Sequence, residues 1–281
     1  RQPPYPGVQG NYNWIKAIAE DTVANRLYLA YWGMPLDYFD MERQRFELLH
    51  FSNFSEKEKQ ELGWSNFFIS SLQQYHGGNI YYANWGGFLQ RYNLDSGEFT
   101  TFCLGNQENY EHAKQKGFLS PLTLVLWIDE QGILWLGNSD EKGVQKLDLS
   151  QGDALGTTCY SCMDNNHCGV PKIGAFTNFL PDRADSTKLQ HGQATCFLED
   201  SKKRLWIGSG SGLHLALDRE KGVFRKFGSR EGFPNELINS ILEDDHDNLW
   251  VATNKGICRF DPEKGRVTAT YNSGDGLQGN Q

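Results

Sequence analysis

The side chains best suited to recognition stand in glycine- and amide-rich turns. Asn13-Trp14, Trp32-Gly33, Trp64-Ser65-Asn66 and Asn84-Trp85-Gly86 place four indoles beside small polar residues. Asn138-Ser139, Ser209-Gly210-Ser211 and Thr253-Asn254-Lys255 add amides, hydroxyls and an ammonium in similar settings. Flat aromatic faces stack on the axial C–H groups of sugar rings, and fixed amides and hydroxyls bond the ring hydroxyls. The candidate ligand-binding set is therefore Trp14, Trp32, Trp64, Asn84, Trp85, Asn138, Ser139, Ser209, Ser211, Thr253, Asn254 and Lys255. A plainer origin competes with this one. Turns favour such amides and hydroxyls for backbone reasons alone, and Trp14 and Trp64, just ahead of strands, suit packing.

A second cluster is Cys159-Tyr160-Ser161-Cys162, followed by His167-Cys168. A haem-attachment motif is excluded because Met163 follows Cys162. Tetrahedral zinc is the alternative, but adjacent His167 and Cys168 converge poorly on one small ion. A polar segment without a core gains most from a crosslink, so at least one disulfide among Cys159, Cys162 and Cys168 is expected. The third thiol then stays free or reaches Cys103 or Cys196. Cys196 and Cys258 fall in strand patterns and read as small buried side chains. The acidic turns Glu199-Asp200 and Glu243-Asp244-Asp245 offer too few oxygens for calcium. No metal and no cofactor is expected.

His50, His76, His112, His167, His191, His214 and His246 are scattered, and no nucleophile elbow, phosphate loop or zinc-protease helix occurs. His112 and His191 lie in connections able to reach the indole-bearing turns. A non-catalytic binding module is the leading expectation.

The elements that must position these residues follow from composition. Hydrophobic residues are 38% of 281, and 30 Gly bring the apolar share to the globular norm, which excludes disorder. With 8 Trp, 12 Tyr and 17 Phe against 3 Met, strands and tight turns are favoured over helices. A net charge of −8 without a basic stripe argues against nucleic acid and anionic lipid as partners. The longest apolar run, about Leu122 to Ile128, is far short of a bilayer span, so no direct membrane contact is expected. Arg1 opens the chain without a signal peptide, which suits a cytosolic protein or a processed piece of a longer one.

Self-comparison finds five copies of one pattern. Tyr28, Tyr81, Trp135, Trp206 and Trp250 precede Phe39, Tyr92, Leu147, Leu217 and Phe260 by 11, 11, 12, 11 and 10 residues. The units span about 14–62, 66–118, 122–152, 194–234 and 238–281, with a Cys-bearing insertion at 152–193. The last one reads as strands at 239–243, 249–253, 257–260 and 266–271, joined by Asp-Asn and Lys-Gly turns that tolerate positive φ. Four short strands per unit at roughly 40–45 residues point to an all-β fold of four-stranded antiparallel propeller blades. Trp127, Trp135, Trp206 and Trp250 are expected to pack between blades. A five-unit piece would leave strand edges open, so a homodimer or closure by terminal residues is expected.

The string Glu243-Asp244 with Asn248-Leu249-Trp250-Val251-Ala252-Thr253-Asn254-Lys255-Gly256, Arg259-Phe260-Asp261-Pro262, Asp275-Gly276-Leu277 and Asn280 resembles the two-component-regulator propeller repeat. The resemblance is strong over 196–281, fair over 123–149 and loose over 14–102. It implies a periplasmic or extracellular sensor region of a bacterial hybrid two-component system, one that takes up an oligosaccharide or other small polar ligand. Such repeats usually close rings of seven blades; five are recognised here, so the chain would be part of a larger ring. A propeller lyase or hydrolase acting on a glycan, or a protein-interaction scaffold, are the alternatives.

Overall fold

The computed structural model describes residues 15–22, 24–31, 34–48, 69–75, 79–84, 88–94, 99–103, 114–115, 117–119, 123–149, 155–156, 172–173 and 176–277. Backbone contacts divide the chain into two units. One comprises residues 1–134 and 147–176, the other residues 135–146 and 177–281.

The first unit begins with β1 (Ile15–Asp21), β2 (Arg26–Tyr31), β3 (Met34–Asp40) and β4 (Arg45–Leu48), an antiparallel sheet in chain order. β5 (Ile69–Tyr75), β6 (Asn79–Asn84), β7 (Phe88–Asn93) and β8 (Phe99–Cys103) repeat that plan. Tyr28, Ala19 and Ala30 of the first sheet form one core with Leu72, Ile80 and Tyr82 of the second. The second sheet binds the next strand through side chains: the Gln73 amide donates to Ile128 O and the Ser71 hydroxyl to Leu126 O.

That next strand is β9 (Thr123–Ile128), followed by β10 (Ile133–Asn138) and β11 (Val144–Asp148). Beyond them a two-stranded ribbon joins β12 (Leu155–Gly156) to β13 (Lys172–Ile173). The fourth strand of the third sheet is β14 (Thr177–Phe179), in the order β14-β11-β10-β9. This corrects the sequence expectation, which ended the third repeat near residue 152 and put 152–193 outside it. The insertion instead falls between the third and fourth strands. Phe179 gives the reason, since it pairs with Val144, stacks on Trp135 at 5.7 Å and meets Phe224 edge-on at 5.8 Å.

The second unit continues with β15 (Ala194–Glu199), β16 (Leu205–Ser209), β17 (Gly212–Asp218) and β18 (Val223–Phe227). β19 (Ile238–Glu243), β20 (Leu249–Thr253), β21 (Gly256–Asp261) and β22 (Arg266–Tyr271) complete it. Both sets form four-stranded antiparallel sheets in chain order. Trp206 and Phe227 of one share a core with Ile241, Val251, Cys258 and Phe260 of the other. In β17, Leu217 is an extra bulged residue, exposed between Ala216 and Asp218. It therefore does not match Phe260, and the spacing of 11 against 10 is the bulge.

The acidic turns have a backbone task. Asp200 Oδ1 accepts from the amides of Lys202 (3.0 Å) and Arg204 (2.8 Å), while Oδ2 accepts from Trp206 Nε1 at 2.8 Å and Arg204 Nε at 2.6 Å. Asp244 repeats the clasp on His246 N, Asn248 N and Trp250 Nε1, each at 2.9 Å. Asp129 holds Gln131 N and Ile133 N, and Asp21 holds Ala24 N. A carboxylate thus closes these four hairpins, and at Asp200 and Asp244 it also holds the indole of the following strand. Trp135 and Trp206 are buried as expected, whereas Trp127 and Trp250 are only half-buried. Trp250 stacks on Tyr271 on a face that no described sheet covers.

Candidate functional rim of the second unit

Within the second unit the connections 138–143, 188–193 and 209–212 are woven together. Asn138, at the end of β10, bridges Gln193 in parallel. Gly143 N donates to Gly192 O at 2.9 Å, and Gly210 N to Gln193 O at 3.3 Å. A side chain on Gly192 would enter the Glu141 backbone carbonyl, so only glycine allows this approach. Asn138 is fully buried; its Nδ2 makes long contacts to Gly143 O (3.5 Å) and Gln145 Oε1 (3.4 Å). Gln145 in turn donates to Asn178 at 2.9 Å, so this amide chain belongs to the sheet interior.

His191 rests against Gly210. Its Nδ1 accepts from Gln193 N at 3.1 Å, which leaves the proton of the neutral ring on Nε2, 3.5 Å from Glu141 Oε1. The turn is flanked by the Asp140–Lys142 pair at 3.1 Å. His214 lies beneath, fully buried, its Nε2 3.5 Å from Gln190 N and its Nδ1 3.4 Å from the Ser209 hydroxyl. Burial, helped by the nearby Lys226 ammonium, lowers its pKa to about 4. It is a neutral spacer at ordinary pH.

The hydroxyl candidates divide into two kinds. Ser209 Oγ donates to Gly212 O (3.0 Å) and accepts from Ser211 N (3.0 Å); Thr253 Oγ1 does the same with Gly256 O (2.9 Å) and Lys255 N (3.1 Å). Both are buried and spent on their own hairpins. Ser139 and Ser211 are half-exposed, and Asn254 and Lys255 are exposed. Asn254 Oδ1 accepts from Asn239 Nδ2 at 2.8 Å. Nearby, Lys226 Nζ meets Glu236 Oε2 at 3.0 Å, and Ser229 N donates to the other carboxylate oxygen. Burial pushes Glu236 up, but these donors outweigh it and hold the carboxyl below its usual range.

Trp14, Trp32, Trp64, Trp85, His112, Cys159, Cys162, Cys168 and the side chains of Asn84 and Cys103 lie outside the described residues. Cys196 and Cys258 carry free thiols. Burial pushes Cys196 up to about 12 and also raises Cys258, which removes both as nucleophiles. Among the described residues no three His, Cys, Asp or Glu side chains gather as metal ligands, and no helix is long and apolar enough to cross a membrane. Sequence reasoning missed Glu141, Gln193, Lys226 and Glu236. For Glu141, Gln193 and Glu236 the signal was positional, since each sits in a strand-two-to-strand-three turn or an inter-sheet connection, whereas Lys226 lies in β18.

Residues 188–211 and 232–255 match the family described as two component regulator propeller. No curated protein matches the chain. Among solved structures, the extracellular domain of a hybrid two component system from B. thetaiotaomicron aligns over 100% of this chain and 32% of its own, at 17% identity and TM-score 0.67. PorZ, a surface component of the type-IX secretion system of Porphyromonas gingivalis, aligns over 94% and 35%, at 13% identity and TM-score 0.61. Virginiamycin B lyase from Staphylococcus aureus aligns over 91% and 69%, at 11% identity and TM-score 0.56. The chain thus spans about a third of the first two. At these identities the likeness is one of fold, and that fold is a β-propeller of four-stranded antiparallel blades.

Proposed function

We propose that this chain of two-component-regulator propeller repeats is the extracytoplasmic ligand-sensing part of a bacterial signalling receptor. It binds a carbohydrate or other polar solute at its hairpin tips without transforming it. The observation that carries this reading is the repeat itself, matched twice at 188–211 and 232–255, and both matches run into the turns of the candidate rim. The fold shared with the extracellular domain of a hybrid two component system supports it.

The chemistry of the rim supports binding over catalysis. Amide, hydroxyl, carboxylate and ammonium groups are presented by Ser139, Ser211, Glu236, Asn239, Asn254 and Lys255, a set able to bond ring hydroxyls from several directions. The buried titratable groups beneath them, His214 and Cys196, are held neutral. By their place in the first two repeats, Trp32 and Trp85 are the stacking faces this reading calls on. Signalling would follow from unequal affinity of the solute for two receptor arrangements.

A second reading, a lyase or hydrolase on a glycan, draws on the fold shared with virginiamycin B lyase; His191 does not serve it as a base, because its Nδ1 already accepts from Gln193 N and its Nε2 faces Glu141. Calorimetry against a panel of neutral oligosaccharides, followed by product analysis, separates the two. Heat without product supports the sensor, and product formation supports the enzyme. Silence across the panel removes both solute readings and leaves the scaffold.

A further inference from the structure

Residues 190–193 of the second unit hang on two imidazole lone pairs. Gln190 N donates to His214 Nε2 at 3.5 Å, and Gln193 N donates to His191 Nδ1 at 3.1 Å. A ring nitrogen accepts only while it carries no proton, so the two rings sit in opposite tautomers. His214 keeps its proton on Nδ1, 3.4 Å from Ser209 Oγ, and His191 keeps its own on Nε2, facing Glu141 Oε1 at 3.5 Å. The Ser209 hydroxyl already donates to Gly212 O, which leaves its oxygen free to accept from His214.

This short stretch in turn holds its neighbours. Gly192 O accepts from Gly143 N at 2.9 Å, Gln193 O accepts from Gly210 N at 3.3 Å, and Gln193 bridges Asn138. Upstream the anchoring is of another kind. Phe224 N donates to Thr187 O at 2.7 Å, and Lys188 Nζ donates to the carbonyls of Lys221 and Gly222. No imidazole takes part in those bonds.

The two rings meet different charges. His214 is fully buried, and the titratable groups that act on it are Lys226 of β18, Glu236 of the connection after β18, and His191. Glu236 is committed to Lys226 Nζ and to Ser229 N, each at 3.0 Å. A proton on His214 Nε2 sets two N–H donors against each other at Gln190 and buries a charge near an ammonium. His191 meets the Glu141 carboxylate, beside the Asp140–Lys142 pair. A proton on its Nδ1 creates the same clash at Gln193, offset by attraction to Glu141.

We propose that residues 190–193 form an acid-released latch. Proton uptake by His214, assisted by His191, frees them from the 209–212 hairpin and the 138–143 connection, while 187–188 stays anchored and the sheets stay folded. The latch sets the range of acidity over which this rim keeps its shape. It goes beyond solute sensing and does not depend on the solute.

Hydrogen exchange tests the latch in the wild-type chain and in a double variant, His191→Asn with His214→Gln. The carboxamide oxygens of the variant stand in for the two acceptors but do not titrate. Between pH 7 and pH 5, exchange at Gly143 N–H and Gly210 N–H, corrected for the intrinsic chemical rate, should accelerate about twentyfold in the wild type, because His214 takes its proton at about 4 in place and near 6.5 once released. Exchange within β19–β22 should not change, and the double variant should show no acceleration. Ring-nitrogen chemical shifts of the wild type at pH 7 need no variant, and they should place the proton on Nδ1 of His214 and on Nε2 of His191. The reverse tautomer at His214, a wild type without acceleration, equal acceleration in the double variant, or equal acceleration within β19–β22 would each overturn the proposal.

Discussion

The buried polar side chains of the second unit carry its most testable chemistry. His214 has its folded pKa lowered to about 4, first by burial and then by Lys226 and His191, against 6.5 for an ordinary imidazole. The folded state therefore takes up the proton less readily than the unfolded chain. Its stability contribution is complete above about pH 6.5 and is lost as pH falls toward 4, in total on the order of 3 kcal/mol. Urea titrations across that window should show this decline in the wild type, and a flatter profile in His214→Gln. Asp200 offers a second case. Burial pushes its carboxyl up, but the Trp206 indole and the Arg204 amide and guanidinium outweigh that and hold it below its usual range. Asp200→Ala strands a buried indole N–H and a largely buried guanidinium, so a loss of about 2–3 kcal/mol is expected. Asp244→Ala should lower the melting temperature less, because Trp250 keeps contact with solvent. Equal losses would mean that the clasp acts only on the turn backbone and not on the indole.

At the scale of the hairpin, four of the five four-stranded sheets turn on one described residue with positive φ between their first two strands. Asn25 (φ 53), Gly132 (φ 83), Lys203 (φ 61) and Asp247 (φ 61) occupy that position. At Gly132, Lys203 and Asp247 the Asp clasp demands it, because the same carboxylate must reach amides two and four residues on, as Asp200 does at Lys202 and Arg204. Glycine adopts this conformation without strain, and lysine does so at a cost. Lys203→Gly should accordingly stabilise the chain by about 0.5–1 kcal/mol, less the small loss of its exposed pairing with Glu199 at 3.8 Å. Chemical unfolding midpoints read this directly, and a destabilised variant would show that the side chain outweighs the backbone. The Ser209 and Thr253 hairpins teach a related lesson about sites. Their hydroxyls looked like ligand groups in the sequence because a hydroxyl two residues before a glycine-closed turn serves the turn as well as it would serve a sugar.

Over the whole chain, what could be read from sequence was whatever repeats. An aromatic recurs in each second strand and a glycine-bearing turn follows it, and the last repeat adds an acidic turn before the strand, so the strands at 249–253 and 266–271 were located to the residue. β14 was missed because the insertion hides its link to β11, and no local pattern shows that Phe179 returns to cover Trp135. The His191–Glu141 pair was missed for a similar reason, since it joins connections 50 residues apart, and the Lys226–Glu236 pair joins β18 to the connection that follows it. Net charge is the one molecular property that needs no geometry, and it bears on the ligand. At −8 the chain repels polyanions at a distance, and the repulsion weakens as salt shortens the screening length. Neutral oligosaccharides should therefore bind with an affinity nearly independent of ionic strength. Sulfated or uronate-rich ones of equal length should bind more weakly in low salt and gain affinity as salt is added. Calorimetric titration of both classes at low and high ionic strength measures the difference. A polyanion that binds best at low salt would require a local basic site strong enough to reverse the field of the whole molecule, and Lys255 with Lys226 would be the first residues to neutralise in search of it.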